Sequence, residues 1–150
     1  ILKKYGFKAT IFAVTSNIIW EDASFDPNSL QRLRQKSMAA TGDVFTFGSH
    51  SHAMHWDSKN QKAMLATKTP EEILDDMKIS KRILDTDVYA YPAGVYDENT
   101  IALLKEAGYT MGFDNRDGRV TKRTNLFKIP RYTIYQKNST LRFRMVLGMV

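Results

Sequence analysis

Short runs rich in β-branched and aromatic residues alternate along this chain with segments that carry helix-start signals. That alternation confines it to folds in which parallel strands are joined by crossing helices. The strongest helix signal is Thr69-Pro70-Glu71-Glu72, a Thr-x-x-Glu capping box with Pro at the first helical position, continued at helical spacing by Ile73, Leu74, Met77 and Leu84. A second helix is expected from Asp97 to Ala107, with Ile101, Leu104 and Ala107 inward and Gly108 ending it. A third should open at Asp26-Pro27, keep Leu30 and Leu33 on one side and stop at Gly42. Asn138 or Ser139 is placed to cap a last helix through Leu147.

Between these lie the strand candidates. Residues 8–14, Lys-Ala-Thr-Ile-Phe-Ala-Val, read as a buried strand that ends in the loop Thr15-Ser16-Asn17. Val44-Phe45-Thr46-Phe47 runs straight into Gly48-Ser49-His50, and Val88-Tyr89-Ala90-Tyr91 is stopped by Pro92-Ala93-Gly94. Residues 109–113 and 129–135 are further short strands. The pattern predicts an α/β fold with a parallel sheet or barrel, whose sites collect at the carboxyl ends of the strands. His50, Pro92 and Asp114 each follow directly on a predicted strand.

With 150 residues, 43% of them hydrophobic, one core and one domain over residues 1–150 are expected. No apolar run approaches the roughly 20 residues that cross a bilayer. There is no cysteine, so disulfides, thiolate metal sites and a cysteine nucleophile are excluded. The net charge of +6 is spread along the chain except at residues 116–123. That cluster contains Asp117 and no aromatic residue, so it reads as a solvated loop, and no nucleic-acid partner is expected.

All three histidines fall within Ser49-His50-Ser51-His52-Ala53-Met54-His55. Neutral imidazole is a common ligand of divalent metals, and this cluster sits at the expected catalytic edge. The plainer reading is a polar surface loop whose histidines do nothing. Five positions between His50 and His55 do not fit one face of a continuous helix, so the segment must turn, leaving His52 to point elsewhere. Two histidines leave room for a carboxylate and water, the open arrangement of a catalytic metal site.

The segment Phe47-Gly48-Ser49-His50-Ser51-His52-Ala53-Met54-His55 resembles the second motif of the polysaccharide deacetylases that share the NodB homology domain, carbohydrate esterase family 4. The usual form is His-Ser/Thr-x-x-His. The branch that de-N-acetylates poly-N-acetylglucosamine spaces its ligands by one more residue, as His50 and His55 are. Ala90-Tyr91-Pro92-Ala93-Gly94-Val95-Tyr96-Asp97, followed by Leu104-Lys105-Glu106-Ala107-Gly108-Tyr109, is similar to the third motif. Lys4 to Phe12 resembles the family's second strand, and Phe127 to Tyr132 its late Ile-Pro-Arg segment.

The resemblance implies a partial, irregular (β/α) barrel of the NodB type and hydrolysis of N-acetyl groups on a polymeric N-acetylglucosamine glycan of biofilm or cell wall. It further implies a divalent metal, with zinc expected, on His50, His55 and an Asp; the backbone N–H of Ala93 as oxyanion donor; and Tyr91, Pro92 and Trp56 at the substrate. The family's Asp-Asp motif, which supplies the general base, should precede Ile1, since Glu21 and Asp22 come after the second strand. Ala90 stands where the family has Arg, and no histidine follows His55 to act as a late acid. An extracellular or cell-surface location follows from the resemblance alone, as does self-association through a sheet edge left open by a missing first strand.

Other candidates have plainer roles. Asp114 is either a site group or a turn-initiating residue, Tyr91 is core or platform, and Arg131 is expected to pair with a carboxylate. Trp20 and Trp56 lie in predicted loops where packing competes with sugar stacking. Met38, Met54, Met64 and Met77 are taken as core. The alternative functional reading is a catalytically inactive carbohydrate-binding remnant of the same fold. A glycosidase would need two facing carboxylates, and the sequence offers no such pair.

Overall fold

The structure is a computed structural model, and it describes residues 1–20, 32–57 and 62–148. Strand β1 (Ala9–Ala13) leads to helix α1 (Gln35–Ala40), then β2 (Phe45–Ser49), a two-residue antiparallel pair β3 (Trp56–Asp57) and β4 (Lys62–Ala63), helix α2 (Pro70–Leu84), β5 (Val88–Ala90), α3 (Glu98–Glu106), β6 (Met111–Phe113) and α4 (Thr140–Leu147). The start predicted at Asp26-Pro27 lies outside the described residues. Helix α2 carries the complete capping box, Thr69 Oγ1 accepting from the Glu72 N–H and the Glu72 carboxylate accepting from the Thr69 N–H. Asp97 caps α3 in the same reciprocal way with Thr100, and Ser139 caps α4. Residues 129–135 do not form a strand: only Ile129 bridges to Phe113. Pro130 has no N–H to give a ladder, and the Arg131 side chain turns back to the Asp114 carbonyl.

The four main strands are parallel and stand in chain order β1-β2-β5-β6, the sequential arrangement of a (β/α) barrel. Strand parity sorts their side chains into two layers. Tyr89 and Tyr91 face the helices and join Met54, Leu65, Ile73, Met77, Ile101, Leu104, Ala107 and Tyr109 in the core. Phe12, Gly48, Ala90 and Phe113 face the other way. Although β1 and β6 are the outer strands, the rings of Phe12 and Phe113 meet at 5.2 Å, so the sheet curls on itself.

Gly48 makes that curl possible. A Cβ at this position would lie 2.6 Å from the Phe12 ring and 2.9 Å from Val88 Cγ2, and Phe12 is itself held between Gly48, Phe113 and the Arg131 guanidinium. Gly48→Ala is therefore expected to destabilise the chain by about 1–3 kcal/mol through overpacking. A denaturation curve for the variant that overlays the parent would show that Phe12 has room to move.

Candidate metal and oxyanion site

The carboxyl ends of β1, β2 and β5 converge because their register is fixed, Ala13 pairing with Ser49 and Ser49 with Tyr89. The His50 N–H donates to Ala13 O at 2.9 Å. Its Nδ1 lies 2.7 Å from Ala90 O. A carbonyl can only accept, so Nδ1 carries the proton and Nε2 keeps its lone pair. Burial pushes the His50 pKa down from 6.5, outweighing the bond to Ala90, and the charges of His55 and Arg131 lower it further. The ring is thus held neutral, as a metal ligand must be.

His55 lies beside it, with ring centroids 4.9 Å apart at 59°. Between them the chain turns as the spacing requires, at Ser51 with φ 78°. His52 points away, its Nδ1 2.9 Å from Thr15 Oγ1. Among the described residues no group of three His, Cys, Asp or Glu side chains comes together. The donors present, two neighbouring imidazoles with one tautomer fixed by a backbone carbonyl, fit two positions of an open divalent site.

The turn after β5 holds the second element. Ala93 adopts φ 54°, ψ 12°, a left-handed conformation that costs a non-glycine residue about 1–2 kcal/mol. Gly94 follows at φ 69°, and a Cβ there would sit 2.1 Å from Asn115 Oδ1, so a side chain at 94 would strain the backbone and displace the Asn115 amide. The Gly94 and Val95 N–H groups donate to Tyr91 O and Pro92 O, whereas the Ala93 N–H meets no acceptor among the described residues. Strain of this kind is found where a backbone group must be presented.

Of the three residues expected at the substrate, Trp56 is exposed, at 45%. Tyr91 and Pro92 are buried. Tyr91 stacks on Tyr96 at 4.3 Å and donates from its hydroxyl to Phe127 O at 2.9 Å, so its ring is core rather than platform and both residues act by shaping the turn. Met54 and Met77 are core as expected. Trp20 is exposed.

Asp114 is a hub. Its buried carboxylate accepts from Tyr96 Oη at 2.6 Å, from the Asn115 N–H at 2.6 Å and from Arg116 Nε. Burial pushes its pKa up, but these bonds outweigh it and hold the carboxyl below its ordinary 3.8. Tyr96 is pushed up to about 12 by burial and by that carboxylate. Among the described residues Arg131 pairs with no carboxylate: its Nε donates to Asp114 O at 2.7 Å while the guanidinium lies beside the touching rings of Phe12 and Phe113, at 5.3 and 5.8 Å from their centroids.

Asp76 was not singled out by the sequence, although a signal was there. It interrupts the apolar stripe of α2 between Ile73 and Met77, and it is 5% exposed. Its two oxygens accept from the His52 N–H at 2.8 Å and the Ala53 N–H at 2.7 Å.

The family profile described as Polysaccharide deacetylase matches residues 1–112. The chain belongs to the polysaccharide deacetylase family. It is 31% identical over 140 residues to the poly-β-1,6-N-acetyl-D-glucosamine N-deacetylase of Staphylococcus aureus strain MRSA252, covering 89% of this chain and 48% of that protein. A Staphylococcus epidermidis enzyme of the same name is 29% identical over the same share. The chain thus spans about half the length of the curated relatives it matches. Among solved structures, the Streptococcus pyogenes deacetylase PplD in complex with acetate superposes with a TM-score of 0.76 at 24% identity, over 97% of this chain and 61% of that one. IcaB from Ammonifex degensii gives 0.73 at 18%, over 99% and 64%. These likenesses place the α/β fold within the deacetylase barrel type.

In the absence of divalent metal, the His50 imidazole is expected to titrate below 6.5 in an NMR pH series. The unfolded chain then binds the His50 proton more tightly than the folded one, so this group makes stability rise with pH up to about 6.5 and lowers it below that value. An apparent pKa at or above 6.5 would mean that the ring is solvated rather than buried.

Proposed function

We propose that this chain carries the metal and oxyanion elements of an N-deacetylase acting on poly-β-1,6-N-acetylglucosamine or a closely similar N-acetylated glycan, releasing acetate. The observation that carries the reading is the pair His50 and His55, with rings 4.9 Å apart and the Nδ1 of His50 committed to Ala90 O. The similarity to relatives named for that activity supports the substrate class.

His50 and His55 would hold the divalent metal, with zinc as the first candidate. Bound there, the metal supplies Lewis-acid polarisation of the acetyl carbonyl and acidifies water toward a pKa of about 7. The chain does the rest. The carbonyl of Ala90 orients His50, so the ligand approaches with its lone pair already aimed. The Ala93 N–H, which meets no acceptor among the described residues, donates to the oxygen that becomes negative as the carbonyl turns tetrahedral. One such donor is worth roughly 10²–10³ in kcat. The exposed Trp56 next to His55 offers an indole face to a sugar ring. The general base is assigned to no described residue. The Asp-Asp motif of the family resemblance would provide it, and a surface or extracellular setting fits such a substrate.

The test is acetate release from a poly-β-1,6-N-acetylglucosamine oligomer, with zinc content measured alongside. His50→Ala and His55→Ala are each expected to abolish stoichiometric zinc and acetate release, and a chelator should do the same to the parent. Oligomer binding that persists with no metal and no acetate release would favour the inactive carbohydrate-binding remnant instead. Deacetylation that survives both histidine variants would overturn the assignment.

A further inference from the structure

Among the described residues two carboxylates are buried, Asp76 and Asp114. Asp114 is taken up by Tyr96, Asn115 and Arg116, whereas the hydrogen bonds of Asp76 lead to the histidine loop. We propose that Asp76 is a positioning residue, a carboxylate on α2 that grips the backbone between His50 and His55 and so sets where His55 stands for the metal. The inference rests on the metal reading of those histidines.

The loop is short and its course is forced. His50 is fixed on the end of β2 by its N–H to Ala13 O and by its ring to Ala90 O. At Ser51 the backbone flips into the left-handed region, with φ 78° and the side chain buried. After the flip the consecutive N–H groups of His52 and Ala53 point to one side, forming an anion-binding concavity. Asp76 fills it with one oxygen on each donor, at 2.8 and 2.7 Å. On the other side, the Thr15 and Ser16 N–H groups donate to Ser51 O at 3.1 Å and His52 O at 2.9 Å. The peptide groups of residues 51–53 are thus held by α2 on one side and by the turn after β1 on the other.

The consequence falls on His55 rather than on His50. No hydrogen bond holds the His55 ring among the described residues, so its distance from His50 depends on the backbone two residues earlier. Packing alone would put an apolar residue at 76, where the neighbours on the same face are Ile73, Met77 and Ser80. A buried carboxylate is costly unless hydrogen-bonded. Its presence here is explained by what it holds.

The experiment uses Asp76→Asn, which keeps the shape and one acceptor but turns an NH2 toward the second backbone N–H. Zinc affinity by competition with a chromophoric chelator and the visible spectrum of the cobalt-substituted protein are compared with the parent and with Asp75→Asn, an exposed neighbour on the same helix. The expected result is a zinc affinity about 10- to 100-fold weaker for Asp76→Asn, the usual effect of losing an outer partner, an altered cobalt spectrum, and parent values for Asp75→Asn. Parent-like affinity and spectrum in a folded Asp76→Asn variant would overturn the proposal while leaving the metal site standing. A parent protein that binds neither metal would remove the metal reading itself. Amide hydrogen exchange on the unaltered protein decides the matter if the variant does not fold. Protected His52 and Ala53 amides are expected, and exchange as fast as in exposed loops would refute the grip.

Discussion

The register of three parallel strands is the constraint on which the site depends. Ser49 stands between Ala13 on one side and Tyr89 on the other, so the turn after β1, the histidine loop after β2 and the Pro92–Gly94 turn after β5 leave the sheet at one level. A slip of one residue in β2 would turn His50 to the helix side, where Ser49 now meets Ser80 at 2.6 Å. The ring would lose Ala90 O and with it the fixed tautomer.

Much of this was legible in the sequence because the signals are local. The capping box at Thr69, the Asp97 cap and the alternation of strand and helix all act within a few residues, and the structure reproduces them. The turn between His50 and His55 was legible too, since a five-residue spacing does not fit one face of a helix. Tyr91 illustrates a signal that was present and underweighted. Counting in twos from Tyr89 assigns both rings to the helix-facing layer, where they pack at 5.7 Å.

What could not be read is long-range. Asp76 meets the histidine loop across 23 and 24 positions of sequence, and nothing in a helix repeat names the partner of a buried carboxylate. Arg131 was expected to seek a carboxylate, but the Asp114 carboxylate was already saturated by Tyr96, Arg116 and two backbone amides. The remaining acceptor was a carbonyl, and two aromatic faces supplied the rest. The strand expected after Ile129 failed for the same reason: the competing contact lies in another part of the fold.

The left-handed peptide at Ala93 separates two properties that a side-chain donor would tie together. Because the donor belongs to the main chain, its aim is set by the Pro92–Gly94 turn and by Asn115 behind Gly94, while Ala93 itself is exposed. Room beside the donor is therefore governed by one solvent-facing substituent, and its direction by the buried scaffold. The substituent at position 93 can be exchanged without re-aiming the N–H, provided the new residue tolerates positive φ, which excludes the β-branched side chains.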